Sequence, residues 1–254
     1  MPPLVLAAGV FAAAYAAAAA TRWLPADVSV SWCRLVSGWL CIVAGVTFVG
    51  IGRRQRVGPA AVPVVVLAAA ALLWGMGQLG LDSTPALLLK DLAQLSAATL
   101  LGAFLAGHIT SGEILLALGI VVTVTDLWSV HGGVTRTLIE AKVVDHFLVN
   151  FPVLLQPEVG FFIGTSDFVM ASLYITCSER LERAWWRAPA AIAAGMIAAG
   201  TLAITLRIPL PVLPFMVVTY HLAFPRDYTL GREGLKLLAA GLGLVGALAL
   251  LYRP

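Results

Sequence analysis

Asp126 and Asp167 each stand inside an apolar run of this chain. A carboxylate at membrane depth costs about 2.5–3.5 kcal/mol on insertion scales, so one that is kept there is a functional-site hypothesis with a partner to be named. Each aspartate is the natural partner of the other. Two carboxylates held close share a proton. One can then take a proton from water while the other polarises a carbonyl group, which is general acid–base hydrolysis without a metal. The plainer alternative is a buried aspartate hydrogen-bonded to a hydroxyl, and Thr123, Thr125, Thr165 and Ser166 are all near in sequence.

The elements that must position these groups are membrane helices. The 254 residues are 60% hydrophobic and 11% charged, with a mean hydropathy of +0.95. That composition lies outside the soluble globular range. We expect an all-α, polytopic transmembrane helical bundle with about nine apolar segments. They are residues 3–20, 31–51, 59–80, 86–107, 112–130, 160–178, 189–206, 209–224 and 235–252. One membrane domain spanning 1–254 is expected, with a four-helix part (1–107), a core (112–224) and an extra C-terminal helix (233–252). Residues 1–20 read as a retained first helix rather than a signal peptide, because no basic segment precedes the apolar run.

Several function classes drop out. The net charge is only +3 and the basic residues lie between apolar runs, where lipid headgroups account for them and no nucleic-acid partner is implied. By a narrow margin, their distribution predicts a cytoplasmic N-terminus. Oligomeric state is not legible. Cys33, Cys41 and Cys177 are scattered and read as buried thiols. His108, His131, His146 and His221 have no metal-ligand spacing, so no metal and no organic cofactor is expected. Lys90, Asp91, Gln94 and Ser96 read as a satisfied polar patch with Lys90 snorkelling to the interface.

On helical spacing, Asp126 shares a face with Gly119 and Thr123, and Asp167 one with Gly160, Gly164, Ala171 and Tyr174. Small faces let membrane helices approach closely. The two segments are joined by one loop, so they can be antiparallel neighbours. Within that loop, 134–147 has the pattern of a short helix lying on the membrane, and 150–157 leans toward an extended strand. Further on, Pro209, Pro211 and Pro214 disfavour helix before them. Leu210, Val212 and Leu213 are therefore expected to run extended, lining a site or forming a connecting loop.

Three motifs carry a family resemblance. Thr125-Asp126-Leu127-Trp128, followed by a glycine turn and Arg136-Thr137-Leu138-Ile139-Glu140, resembles the first aspartate motif of the presenilins. Gly164-Thr165-Ser166-Asp167 resembles their Gly-x-Gly-Asp motif, with Ser166 in place of the second glycine. Pro211-Val212-Leu213 resembles their Pro-Ala-Leu motif, with Val212 in place of alanine. The three come in family order over about 112–224. The resemblance to presenilin and signal peptide peptidase implies an intramembrane aspartyl protease with Asp126 and Asp167 as the catalytic pair. It implies that Gly164, Thr165, Ser166, Pro211, Val212 and Leu213 shape the site. It also implies a stretch before the second aspartate helix that pairs with substrate as a strand, here placed at Val153, Leu154 and Leu155. The partners would be a transmembrane peptide or membrane-protein substrate and the lipid bilayer. From the residues alone, a proton- or cation-coupled transporter using the same aspartates, or a silent scaffold of the same fold, stays open.

Overall fold

A computed structural model describes residues 2–21, 29–55, 58, 60–79, 83–132, 147–156, 160–225 and 230–251. Among these residues the chain forms nine helices: α1 (Pro3–Ala20), α2 (Val30–Gly52), α3 (Ala61–Leu79), α4 (Thr84–Ala106), α5 (Gly112–Gly132), α6 (Thr165–Arg180), α7 (Arg187–Leu206), α8 (Leu213–Ala223) and α9 (Arg232–Leu251). A two-stranded antiparallel sheet, β1 (Leu148–Pro152) and β2 (Gly160–Gly164), lies between α5 and α6. The architecture is all-α with this one hairpin added.

Six of the helices, α1, α2, α4, α5, α7 and α9, are long and apolar enough to cross a membrane. Much of their surface is exposed leucine and valine, as lipid-facing helices require. The chain is a multi-pass membrane protein. Each of the nine expected apolar segments overlaps one of these helices, but 160–178 is divided between β2 and α6, 209–224 is helical only from Leu213, and neither α6 nor α8 is a full span. α8 has 11 residues, about 16 Å of helix, and α6 has 16 residues, about 24 Å, both short of a core of about 30 Å.

The chain divides into two compact units, 1–105 with 145–176, and 106–144 with 177–254. In the first unit, α1 buries Ala7, Phe11, Tyr15 and Ala18, which recur every three or four residues on one face. Phe11 meets Phe48 of α2 edge to face at 6.3 Å, and Phe151 of β1 sits 5.9 Å from Phe11 and 5.6 Å from Tyr15. These rings pin the hairpin to the helices. On α2, Gly38 and Gly45 stand seven residues apart on one face. A Cβ at Gly38 would fall 2.7 Å from the Phe161 ring, and one at Gly45 would overlap the Phe168 ring. On the α4 side, a Cβ at Gly102 would overlap the Val169 carbonyl, and Ser172 Oγ donates to the Thr99 carbonyl at 2.7 Å. The start of α6 is thus packed by α2 and α4 through glycines that admit no side chain.

In the second unit, Ser111 caps α5 by accepting from the Ile114 N–H at 3.4 Å. Glu113, in its first turn, accepts from the Gly231 N–H at 2.6 Å, which ties the start of α9 to α5. Farther along, a Cβ at Gly241 would lie 2.5 Å from a Val121 methyl. α7 and α8 approach just as closely at Gly195, where a Cβ would sit 2.7 Å from the Phe215 carbonyl oxygen and 2.8 Å from Met216 Cα. Arg207 ends α7 in the left-handed region at φ 56°. Beyond α6, Arg183 donates to the Tyr220 hydroxyl at 2.8 Å, stacks over the Phe224 ring, and shares Tyr220 with Ser178.

Candidate active site

Gly160–Ser178 does not form a single transmembrane helix. Gly160 to Gly164 is β2, and the helix begins only at Thr165. Glycines at 160 and 164 weaken helix locally, while Phe161, Phe162 and Ile163 suit a strand once β1 offers a partner. Asp167 is therefore the third residue of α6 rather than a residue near midspan. Its carboxylate sits in the first helical turn, where the helix dipole favours negative charge. It shares its buried face with Ala171 and Tyr174; the expected face with Gly160 and Gly164 does not exist.

Around Asp167 the local geometry is tight. A Cβ at Gly164 would lie 3.1 Å from Asp167 Oδ2 and 3.3 Å from Ser166 Oγ. Glycine at 164 keeps that space open. Thr165, the first helical residue, donates from Oγ1 to the Phe147 carbonyl at 2.9 Å, tying the start of β1 to the start of α6. Ser166 is exposed, while Phe168 is fully buried.

Val153, Leu154 and Leu155 do not form the expected strand. They follow β1 in a turn with Leu155 at φ 59°. Two of their N–H groups are taken by side chains distant in sequence: Leu154 donates to Ser37 Oγ at 2.8 Å and Leu155 to Thr21 Oγ1 at 3.1 Å. The extended stretch before the second aspartate helix is instead β2. Its register is Leu148 opposite Gly164, Asn150 opposite Phe162, and Pro152 opposite Gly160.

Asp126 lies in the second unit, on the last third of α5, half-buried. Its Oδ2 accepts from the Leu213 backbone N–H at 3.1 Å. The start of α8 explains this bond. Val212 precedes the helix with αR geometry (φ −86°, ψ −36°) and no side-chain cap. Of the first four helical positions, Pro214 has no N–H, and Phe215 and Met216 both donate to the Val212 carbonyl. Only the Leu213 N–H is left, and Asp126 takes it. Val212 and Leu213 are thus not extended, because Pro214 falls in the first helical turn, where proline is tolerated.

The first aspartate motif and the proline motif accordingly meet in one hydrogen bond. No protein-family model, curated protein or solved structure matches this chain. The presenilin resemblance therefore stands on these residues alone.

Of the expected site residues, Gly164, Thr165, Ser166 and Asp167 form one continuous strand-to-helix junction in the first unit. Pro211, Val212 and Leu213 form the junction beside Asp126 in the second. The segment 133–146, with the expected surface helix and Arg136 and Glu140, lies outside the described residues. Among the described residues no group of three or more His, Cys, Asp and Glu could hold a metal ion.

Lys90 and Asp91 are satisfied by hydrogen bonds, as expected, but Lys90 does not snorkel outward: it is 9% exposed and Asp91 is fully buried. Lys90 Nζ donates to the Leu148 carbonyl at 3.0 Å, and Asp91 Oδ1 accepts from the Asn150 N–H at 3.0 Å. The signal was an adjacent Lys-Asp pair inside a span, which has no reason to be there unless it meets a polar backbone.

Proposed function

We propose that this chain is an intramembrane aspartyl protease of the presenilin and signal peptide peptidase type, in which Asp126 and Asp167 act together on a peptide bond of a transmembrane substrate. The observation that carries the proposal is the Leu213 N–H bond to Asp126 Oδ2, which spans 87 residues of sequence. It joins two of the three motifs behind the resemblance and orients one carboxylate by backbone rather than by a mobile side chain. The third motif supports the same reading, because Gly164 leaves room beside Asp167 that any side chain would fill.

The chemistry follows from the carboxylates. One aspartate takes a proton from water, which attacks the scissile carbonyl carbon. The other, protonated, donates to the carbonyl oxygen, and collapse of the tetrahedral species passes a proton to the leaving nitrogen. A substrate helix must unwind for its carbonyl to be reached, and an unwound backbone needs partners. β2 offers them. Leu148 and Asn150 turn their bonded groups toward α4, away from β2. Antiparallel alternation then makes Asn150–Phe162 a pair without mutual hydrogen bonds, so the N–H and C=O of Phe162 also point away from β1. An extended substrate would pair there, next to the aspartate helix. No cofactor is required.

The test uses the purified full-length chain in lipid nanodiscs with a model transmembrane peptide, followed by mass spectrometry of products, and the chain in liposomes for proton and cation flux. Cleavage within the apolar segment of the peptide supports the protease. Flux that depends on both aspartates, without cleavage, replaces it with a transporter. Neither activity, with peptide still bound, points to a scaffold.

A further inference from the structure

The hairpin that leads into α6 has two outer edges, and one of them is occupied by α4. Lys90 and Asp91 are consecutive, and both turn to β1. The lysine takes the Leu148 carbonyl and the aspartate takes the Asn150 N–H, with 3.8 Å between the ammonium nitrogen and the carboxylate. Pro152, next along the same edge, has no N–H to offer, as edge-strand prolines do not. A C=O and an N–H that a further strand would need on this side are thus already bonded. Among the described residues the other carboxylate oxygen, Asp91 Oδ2, is buried with no hydrogen-bond partner, so the orientation of the carboxylate is tied to β1.

A buried ion pair is a poor way to gain stability, since desolvation offsets most of the attraction; fixing a register is its best-attested use. Register matters here because a one-residue slip would turn every side chain of a strand to the opposite face. A slip of β1 would move Val149 and Phe151, both fully buried, out of the core. It would also carry Phe147, which holds Thr165, away from the start of α6.

We propose that Lys90 and Asp91 are positioning residues. They lock the register of β1, close its outer edge to any further strand, and through β2 hold the first turn of α6, with Asp167, in place. The lock itself is independent of the proposed proteolysis; its effect on turnover rests on that proposal.

The experiment is amide hydrogen exchange on the full chain in nanodiscs, comparing wild type with Asp91→Leu, Lys90→Met and Asp91→Asn. The first two remove an acceptor and a donor, respectively, and the third keeps an acceptor for the Asn150 N–H. Exchange in residues 148–152 and 160–168 is expected to rise by about tenfold in Asp91→Leu and Lys90→Met. α2 is expected to stay unchanged, which shows that the unit is still folded. Asp91→Asn gives back most of the protection lost in Asp91→Leu. With a cleavable peptide, kcat falls in the same order as protection. Unchanged hairpin exchange in both Asp91→Leu and Lys90→Met overturns the lock. Increased exchange confined to β1, with 160–168 and kcat unaffected, overturns the positioning role. If wild type cleaves nothing, the proteolytic proposal fails while the exchange data still decide the lock.

Discussion

Asp126 has two separable roles, and one substitution series tells them apart. As an acceptor it satisfies the Leu213 N–H; as a carboxylate it would move protons. Asp126→Ala removes both roles. The Leu213 N–H then has no substitute, because Val212 carries no polar side chain and the adjoining N–H groups already use the Val212 carbonyl. Losing a helix cap or orphaning a buried N–H costs about 1–2 kcal/mol. For a chain of this size that is a fall of about 2–8 °C in Tm. Asp126→Asn keeps an amide oxygen for the same bond and should cost less than about 0.5 kcal/mol. Thermal unfolding in detergent, followed by far-ultraviolet circular dichroism, reads the difference. Asn and Ala variants of equal stability would refute the capping role. Both variants should lose proteolysis, since neither has a carboxylate; an Asn variant that still cleaved would remove Asp126 from the chemistry.

Other expectations follow from close approaches. Gly164→Ala places a methyl 3.1 Å from Asp167 Oδ2, inside the usual contact distance of about 3.5 Å; steady-state kinetics should show kcat lower by about tenfold, with Tm changed little. Gly195→Val drives a side chain into Thr219 and the Phe215 carbonyl and should destabilise by about 1–3 kcal/mol in a denaturant titration. Gly246→Ala meets nothing within 4 Å; the same titration should show a gain of about 0.5–1 kcal/mol from helix propensity.

How much of this was legible depended on whether the deciding contact was local. Helix positions follow from apolar run lengths, and α1 at Pro3–Ala20 and α5 from Gly112 begin where the pattern says. β2 was hidden, because five apolar residues joined to a helical run carry no periodicity that separates strand from helix. What makes them a strand is β1, a partner supplied from across a turn. Val212 and Leu213 were misjudged by a local rule that holds before prolines in general but yields in the first helical turn. The role of Lys90 and Asp91 depends on backbone groups 58 and 59 residues away, which no spacing argument reaches. The bond between Asp126 and Leu213 was foreshadowed only as two motifs of one resemblance, not as a contact.

The most direct test of the central claim is the cleavage rate of a transmembrane peptide by four proteins in the same nanodiscs: wild type, Asp126→Asn, Asp167→Asn and the double variant. Carboxylates acting as one unit predict that each single variant falls by about a hundred- to ten-thousand-fold, and that the double variant is no slower than the worse single one. A single variant that cleaves at the wild-type rate, or a double variant whose deficit is the product of the two, would contradict a shared catalytic pair.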